Sequence, residues 1–178
     1  TPIGSGPFPI IVYYHGGGWV LNDLDTCHES CAQLANQSQH IVVSVAYRLA
    51  PEYKFPIPVF DAFDSFLWTN ANAKMLNGTQ QISVAGDSAG GNLAIAVCQL
   101  ANEQQLLIES QILLYPVTDL SYNTQSYSLF EKGFGLDRDV MKWFGDYYIN
   151  DEQDAFNPDL QEGRMLRCVR VRNSKRLS

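Results

Sequence analysis

The feature that most constrains this chain is a serine placed between glycines at a strand-to-helix junction. The pentapeptide Gly86-Asp87-Ser88-Ala89-Gly90 follows the apolar run Ile82–Ala85 and opens Ala89–Gln104, where apolar residues recur at helical spacing. So sharp a turn forces the serine into a strained backbone conformation, and the flanking glycines let strand and helix approach without Cβ clashes. The hydroxyl is then exposed at a helix N-terminus, where developing negative charge is favoured. We therefore predict that Ser88 is a nucleophile and that the other residues of the pentapeptide shape its turn.

Strand-like runs alternate with helical segments along most of the chain. This alternation is typical of an α/β fold, a mostly parallel sheet with helices on both faces. The predicted strands are Ile10–His15, Ile41–Tyr47, Ile82–Ala85 and Ile108–Tyr115, and the predicted helices are Asp25–Gln37, Pro58–Ala73, Ala89–Gln104 and Asp137–Ile149, the last with Asp137 as N-cap. The alternation stops after Pro116, so residues 117–150 are predicted to be a lid-like excursion from a domain of residues 1–160.

A second glycine-rich segment follows the first predicted strand. Three consecutive glycines in His15-Gly16-Gly17-Gly18-Trp19 free the backbone to turn several N–H groups toward one point, as the binding of an oxyanion requires. We predict that the N–H groups of Gly16, Gly17 and Ala89 bind the oxyanion of a tetrahedral intermediate. A phosphate-binding loop is the alternative. It is disfavoured because no Gly-Lys-Ser/Thr follows and the glycine spacing differs from that of dinucleotide folds.

Taken together, these segments resemble the hormone-sensitive-lipase-like branch of the α/β-hydrolases, which includes many bacterial carboxylesterases. The resemblance covers about residues 9–159. It rests on His15–Trp19, called the glycine loop below, on Tyr47-Arg48-Leu49-Ala50-Pro51-Glu52 with Phe55-Pro56 and Asp61, on Gly86–Ala94, and on Asp154-Ala155-Phe156-Asn157-Pro158. It implies an incomplete α/β-hydrolase fold and the hydrolysis of short- to medium-chain acyl esters through an acyl-enzyme at Ser88. We expect no metal and no cofactor.

The same resemblance gives roles to the residues around the two motifs. It implies that residues 47–52 form a structural loop beneath the serine turn and that His15 anchors the glycine loop by hydrogen bonding. We expect Arg48 and Glu52 to form an internal ion pair rather than to act in catalysis. The sequence leaves open whether Trp19 and the aromatic stretch Tyr122–Phe144 line a substrate pocket or only pack.

The catalytic partners of the serine are missing from their expected positions. In this fold the acid and the histidine follow the serine along the chain, but no histidine follows His40. A serine without a base is a poor nucleophile. We expect His28 and His40 to lie at the surface, and we expect the chain to be truncated at both ends.

The end of the chain differs in composition from the rest. Residues 161–178 hold six basic residues and one acid, whereas residues 1–160 hold six basic and 18 acidic residues, a net charge of −12. We expect this tail to be disordered. It is either an aberrant, out-of-frame continuation or the purposeful basic tail of a short variant. The acidic body and the absence of aromatic residues in the tail argue against nucleic-acid binding.

Composition also limits the cellular setting. No apolar run reaches the roughly 18 residues that a membrane span needs. Cys27, Cys31, Cys98 and Cys168 form no C-x-x-C pair, so we expect free thiols in a reducing compartment and a cytoplasmic protein. The oligomeric state is left open.

Two other classes of function compete with ester hydrolysis. The chain could be a catalytically silent small-molecule-binding protein of the same fold, or an inactive truncated product. The discriminating feature is Ser88 itself beside an intact glycine loop, which binding alone does not need.

Overall fold

The computed structural model describes residues 1–151 and residue 154. Its elements, in chain order, are β1 (Phe8–Tyr14), α1 (Leu24–Ser38), β2 (Ile41–Val45), α2 (Ile57–Asn72), β3 (Gly78–Asp87), α3 (Ala89–Glu103), β4 (Gln111–Leu114), α4 (Gln125–Leu129) and α5 (Arg138–Tyr148). The predicted tail at 161–178, and residues 155–158 of the last family-like segment, lie outside the described residues.

The strands of the described sheet are parallel throughout and lie in the order β2-β1-β3-β4. β1 is central and pairs with β2 on one side and β3 on the other. At its carboxyl end Tyr14 stands opposite Gly86, so the glycine loop and the Ser88 turn leave the sheet side by side. This arrangement confirms the predicted α/β class with a parallel sheet.

Helices cover both faces of the sheet because successive side chains of a strand point to opposite sides. Ile10, Val12 and Tyr14 of β1 enter the main hydrophobic core together with side chains of α2 and α3. Ile11 and Tyr13 enter a second, smaller cluster with two cysteines of α1. The predicted packing of helices on both faces is therefore confirmed.

The bounds of the four predicted helices hold to within one residue, whereas each predicted strand differs by two residues or more at one end, most of all β3 and β4. β3 begins at Gly78 rather than Ile82, because its first residues are polar and carry no apolar signal. β4 begins at Gln111 rather than Ile108. Asp137 occupies the N-cap position of α5 as predicted, but its carboxylate accepts from the N–H of Gly133 (3.0 Å) instead of from the helix.

The minor predictions about cysteine and histidine can also be compared with the fold. Cys27, Cys31 and Cys98 are buried and form no disulfide, while Cys168 lies outside the described residues. His28 is exposed, as predicted, and His40 is half-buried. Among the described helices, none combines the length and the apolar character that a membrane crossing requires.

The predicted ion pair between Arg48 and Glu52 is wrong, because the partner of Arg48 is Asp61. The guanidinium donates to both carboxylate oxygens (Nη2–Oδ1 2.6 Å, Nε–Oδ2 2.8 Å), and the Arg48 backbone N–H donates to Oδ2 at 2.9 Å. The rigid fork of arginine matches the two oxygens of one carboxylate. The pair is not internal either, since half of the Arg48 side chain is exposed.

The Arg48–Asp61 pair predicts a specific pH dependence. The hydrogen bonds from Arg48 hold the pKa of Asp61 below its ordinary value. A carboxylate with a lowered folded pKa contributes stability above the unfolded pKa, about 3.9, and loses it as the pH falls through the folded pKa. We expect Asp61→Asn to lower the Tm at pH 7 and the difference from wild type to shrink below about pH 4. Glu103→Gln, an exposed change elsewhere, serves as control; a difference that persists at pH 2 would contradict the assignment.

The core predicts unequal costs for two phenylalanines on α2. Phe66 is 0% exposed and Phe60 is 51% exposed. Phe66→Ala removes buried area and leaves a cavity, so we expect it to lower the free energy of unfolding by about 4 kcal/mol. Phe60→Ala should change it by less than about 0.5 kcal/mol. Urea unfolding of both variants measures the difference, and equal costs would show that α2 packs by another face.

Candidate active site

Ser88 lies at the junction of β3 and α3, in a backbone conformation that residues other than glycine rarely adopt. Its φ is 53° and its ψ −118°. Its N–H donates to Leu114 O (2.9 Å), and its carbonyl accepts from the N–H groups of Asn92 and Val117 (3.1 Å each). A strained residue persists only where its surroundings over-determine it, and here β4, the segment after β4 and the first turn of α3 all hold the same residue.

The glycines of the pentapeptide allow the close approach that this turn needs. A Cβ on Gly90 would overlap the backbone carbonyls of Tyr14 and His15, and a Cβ on Gly86 would overlap the backbone of Gly90. Strand β3, helix α3 and the end of β1 therefore meet at van der Waals distance around Ser88. The two glycines occupy the positions that the sequence motif assigned to them.

The glycine loop is held from beneath by two stacked side chains. His15 is buried, and its ring stacks on that of Tyr47 at 4.4 Å between centroids. The Tyr47 hydroxyl donates to His15 O (2.6 Å), and His15 Nδ1 lies 2.7 Å from Gly16 O. Since a carbonyl oxygen only accepts, Nδ1 carries the proton. The His15 ring therefore hydrogen-bonds to the glycine loop itself, at Gly16 O.

The N–H groups of the glycine loop do not match the predicted set of donors. The N–H of Gly16 donates to Asp87 Oδ1 (2.9 Å), so it is already bound. Gly17 and Gly18 have φ values of 115° and 61°, and both line a cavity together with Ser88. In the described part of the chain no protein acceptor takes their N–H groups. The structure thus contradicts the prediction of Gly16 as a free donor and leaves the N–H groups of Gly17 and Gly18 without a protein acceptor among the described residues. The sequence analysis did not single out the Gly18 N–H.

The third predicted donor, Ala89, is buried as the first residue of α3. The first N–H groups of a helix have no partner within the helix, so its N–H is available at this end. Within residues 1–151 and 154, no histidine or carboxylate side chain hydrogen-bonds to the Ser88 hydroxyl, and no group of three potential metal ligands occurs. The described site combines a serine with backbone donors.

Two cavities of different character meet at Ser88. The first, about 210 Å³, is mostly apolar, and the second, about 570 Å³, is more open and more polar. The lining of the first is Gly17, Gly18, Trp19, Ser88, Val117, Leu120, Leu136, Met141 and Phe144. The second adds Thr118, Asp119, Thr124, Ser126, Tyr127 and Phe134, among others. Trp19 and part of the 122–144 stretch therefore line cavities beside the serine, which answers the question that the sequence left open.

Helix α5 is fixed to the glycine loop by an aromatic stack. The rings of Trp19 and Tyr148 are parallel at 4.2 Å between centroids, and both side chains are buried. The N–H of Phe55 donates to Tyr148 O (2.9 Å), and Lys54 Nζ donates to Ile149 O (2.9 Å), which joins the 48–56 loop to the end of the helix. Tyr148 carries no motif signal, so the sequence could not indicate this contact.

Comparison with known proteins places the chain in a family. The profile of a family described as having the alpha/beta hydrolase fold matches residues 11–170, so the chain belongs to that family, as its resemblance to the hormone-sensitive-lipase-like branch predicted. It is 41% identical over 167 residues to the carboxylic ester hydrolase LipN of Mycobacterium tuberculosis, covering 89% of this chain and 44% of LipN.

Other relatives agree with this assignment. An arylesterase of Saccharolobus solfataricus is 37% identical, with 89% of this chain and 52% of the arylesterase covered. A solved structure of a Pyrobaculum calidifontis esterase superposes with a TM-score of 0.84 at 40% identity, covering 89% of this chain and 53% of the esterase. The chain spans about half the length of these relatives.

The close packing at the turn predicts that Gly90 cannot accept even a methyl group. Gly90→Ala sets a Cβ against backbone atoms of β1, so we expect a loss of about 3 kcal/mol in the free energy of unfolding. Gly133→Ala is the matched control. No atom lies within 4 Å of its Cβ, and its positive φ alone should cost about 1 kcal/mol. Chemical denaturation compares the two, and a Gly90→Ala variant as stable as the control would refute the packing.

Proposed function

We propose that this protein is a carboxylic ester hydrolase that acts through an acyl-enzyme at Ser88 on esters with short- to medium-length acyl chains. The observation that carries the proposal is the position of Ser88. Ser88 lies at the N-terminus of α3, in a strained turn, and lines a cavity together with Gly17 and Gly18. The relatives named carboxylic ester hydrolase and arylesterase add support through the shared family.

In the proposed reaction Ser88 Oγ attacks the carbonyl carbon of the ester. The carbonyl oxygen becomes an oxyanion, and the N–H groups of Gly17, Gly18 and Ala89 stabilise it; such donors are effective because they are oriented before the reaction. The tetrahedral intermediate collapses to an acyl-enzyme and releases the alcohol. Water then attacks the acyl group, and the acid leaves with Ser88 regenerated.

The Ser88 proton must pass to a base while the new C–O bond forms. None of the described side chains is in position for this, since the His15 ring binds Gly16 O and stacks on Tyr47. In this fold the acid and the histidine come from loops that follow the serine. We therefore assign Ser88 and the three backbone donors, and assign neither the acid nor the base to a described residue.

The two cavities support a small-molecule ester as substrate. The apolar one suits an acyl chain, since Trp19, Met141 and Phe144 offer it hydrocarbon and ring surface. The more polar one contains Asp119 and Thr118 and suits the other side of the ester bond. The acidic body of residues 1–160 supports such substrates over nucleic acid, and the buried cysteines that form no disulfide support a cytoplasmic location.

Residues 117–150 are proposed to form a lid over Ser88, within a domain of residues 1–160. The support comes from the walls of the cavities, because Leu136, Met141 and Phe144 all belong to this stretch. A Cβ on Gly18 would overlap the ring of Phe144, so the stretch lies directly on the glycine loop.

A silent binding protein is the second candidate. The observation that favours it is the absence, among the described residues, of an acid–base partner for the Ser88 hydroxyl. Such a protein would hold an ester or a related small molecule in the same two cavities without forming a covalent bond.

Covalent labelling of Ser88 tests the proposed hydrolase. We expect a fluorophosphonate to form one adduct with the 178-residue chain, on the peptide that contains Ser88, because the phosphoryl oxygen occupies the donor site as the serine oxygen displaces fluoride. Intact-mass and peptide mass spectrometry measure the adduct. Ser88→Ala should abolish it, whereas Ser126→Ala, which removes an exposed serine from the wall of the larger cavity, should leave it unchanged.

The alternatives give different results in the same experiment. An adduct that survives Ser88→Ala would disprove Ser88 as the nucleophile. A folded chain that forms no adduct, yet binds a short-chain ester reversibly, would support the silent binding protein.

A further inference from the structure

Asp87 joins the serine turn to the glycine loop, a role that the motif alone does not assign. It is the last residue of β3 and immediately precedes Ser88. Its Oδ1 accepts from the Gly16 N–H (2.9 Å) and from the Tyr13 hydroxyl (2.7 Å). One carboxylate oxygen therefore binds two groups of β1 and its loop, more than 70 residues away in sequence.

The carboxylate also packs against the loop that it binds. A Cβ on Gly16 would overlap the Asp87 carboxylate and its backbone carbonyl, so the two residues are already in contact. Tyr13 fixes the other side. Its hydroxyl keeps its proton because burial, and then the hydrogen bond and charge of Asp87, raise the pKa of Tyr13 above its ordinary value. Among the ion pairs of the described residues, none involves Asp87, so these neutral donors are its partners.

The bonds to Gly16 constrain the orientation of the next peptide, which carries the Gly17 N–H, while Gly17 O in turn accepts from the N–H groups of Val20 (3.1 Å) and Leu21 (2.9 Å). Asp87 fixes the peptide that carries the Gly16 N–H, while His15 Nδ1 (2.7 Å) and Asn22 Nδ2 (3.3 Å) donate to Gly16 O. Gly16 O and the Gly17 N–H belong to one planar trans peptide and point in opposite directions. Holding Gly16 at both of its polar groups therefore turns the Gly17 N–H away from His15 and Asn22.

We propose that Asp87, supported by Tyr13, is a positioning residue that clamps the glycine loop so that the Gly17 and Gly18 N–H groups face Ser88. This inference rests on the proposed function. A charged acceptor holds an N–H more strongly than a neutral one, which suits a loop whose three glycines would otherwise be free to rearrange. Asp87 touches neither substrate nor reacting atoms in this scheme and acts only through the backbone.

The clamp can be tested with a reversible transition-state mimic on the full 178-residue chain. Butylboronic acid forms a tetrahedral boronate when Ser88 Oγ adds to boron, with the hydroxyl proton released to the buffer. The dissociation constant comes from titration followed by NMR of the ¹⁵N-labelled chain, which also gives the amide shifts and hydrogen-exchange rates of residues 16–18. The variants are Asp87→Ala, Asp87→Asn and Tyr13→Phe, with Asp64→Ala, an exposed change on α2, as control.

The expected order of effects distinguishes positioning from simple stabilisation. Losing a hydrogen bond to a charged group should speed Gly16 amide exchange by about tenfold in Asp87→Ala and weaken boronate binding by a similar factor. Asp87→Asn keeps an acceptor oxygen and should stay within about threefold of wild type, and Tyr13→Phe should fall between the two. Asp64→Ala should match wild type in every reading.

Each other outcome has a defined meaning. If Asp87→Ala lowers the Tm but leaves the boronate affinity and the Gly17 and Gly18 amide shifts unchanged, the clamp is disproved and Asp87 is only structural. If Asp87→Ala does not fold, a Tyr13→Phe variant indistinguishable from wild type disproves it. If wild type binds no boronate and Ser88→Ala behaves identically, the proposed function fails, and the amide shifts and exchange rates of the variants still decide the clamp.

Discussion

The parallel pairing of β1 with β3 is the constraint on which the site depends. Tyr14 stands opposite Gly86, so the two strands end at the same level. The glycine loop that follows β1 and the turn that follows β3 are therefore neighbours without any further device. A shift of one residue in this register would move Ser88 away from the loop and send every side chain of the strand to the opposite face.

Other elements of the fold hold the segments that follow β1 and β3 in place. Strand β4 accepts the Ser88 N–H through Leu114, and α3 approaches the end of β1 through Gly90. From the other side, Tyr148 of α5 stacks on Trp19. Strand β4 and helix α3 thus oppose the relaxation of the unfavourable Ser88 backbone conformation, while α5 holds the neighbouring glycine loop.

The sequence was informative where the signal was local. The Gly86–Gly90 pentapeptide between a strand and a helix predicted the turn, and apolar spacing predicted the fold class and most helix boundaries. The misses are contacts between distant segments. Neither the pairing of Arg48 with Asp61 nor the capture of the Gly16 N–H by Asp87 leaves a trace in periodicity, because each depends on which side chains the sheet brings together.

The choice of donors in the glycine loop shows the same limit in finer detail. Three consecutive glycines indicate a backbone that is free to turn. Because many conformations are open to such a segment, the sequence does not show which of its N–H groups form hydrogen bonds within the protein. The structure alone shows that the Gly16 N–H is bound to Asp87, and that Gly17 and Gly18 adopt positive φ values. These two observations distinguish the N–H group that is already bound from those of Gly17 and Gly18.

The burial of Trp19 gives the molecule a built-in optical reporter. The chain has three tryptophans, and Trp19 is 1% exposed while Trp68 and Trp143 are 49% and 43% exposed. An indole shielded from water emits at shorter wavelength than one in contact with it, and its stack on Tyr148 lies between the glycine loop and α5. The short-wavelength edge of the emission therefore reports the packing of α5 against Trp19, whereas the long-wavelength edge reports the exposed Trp68 and Trp143.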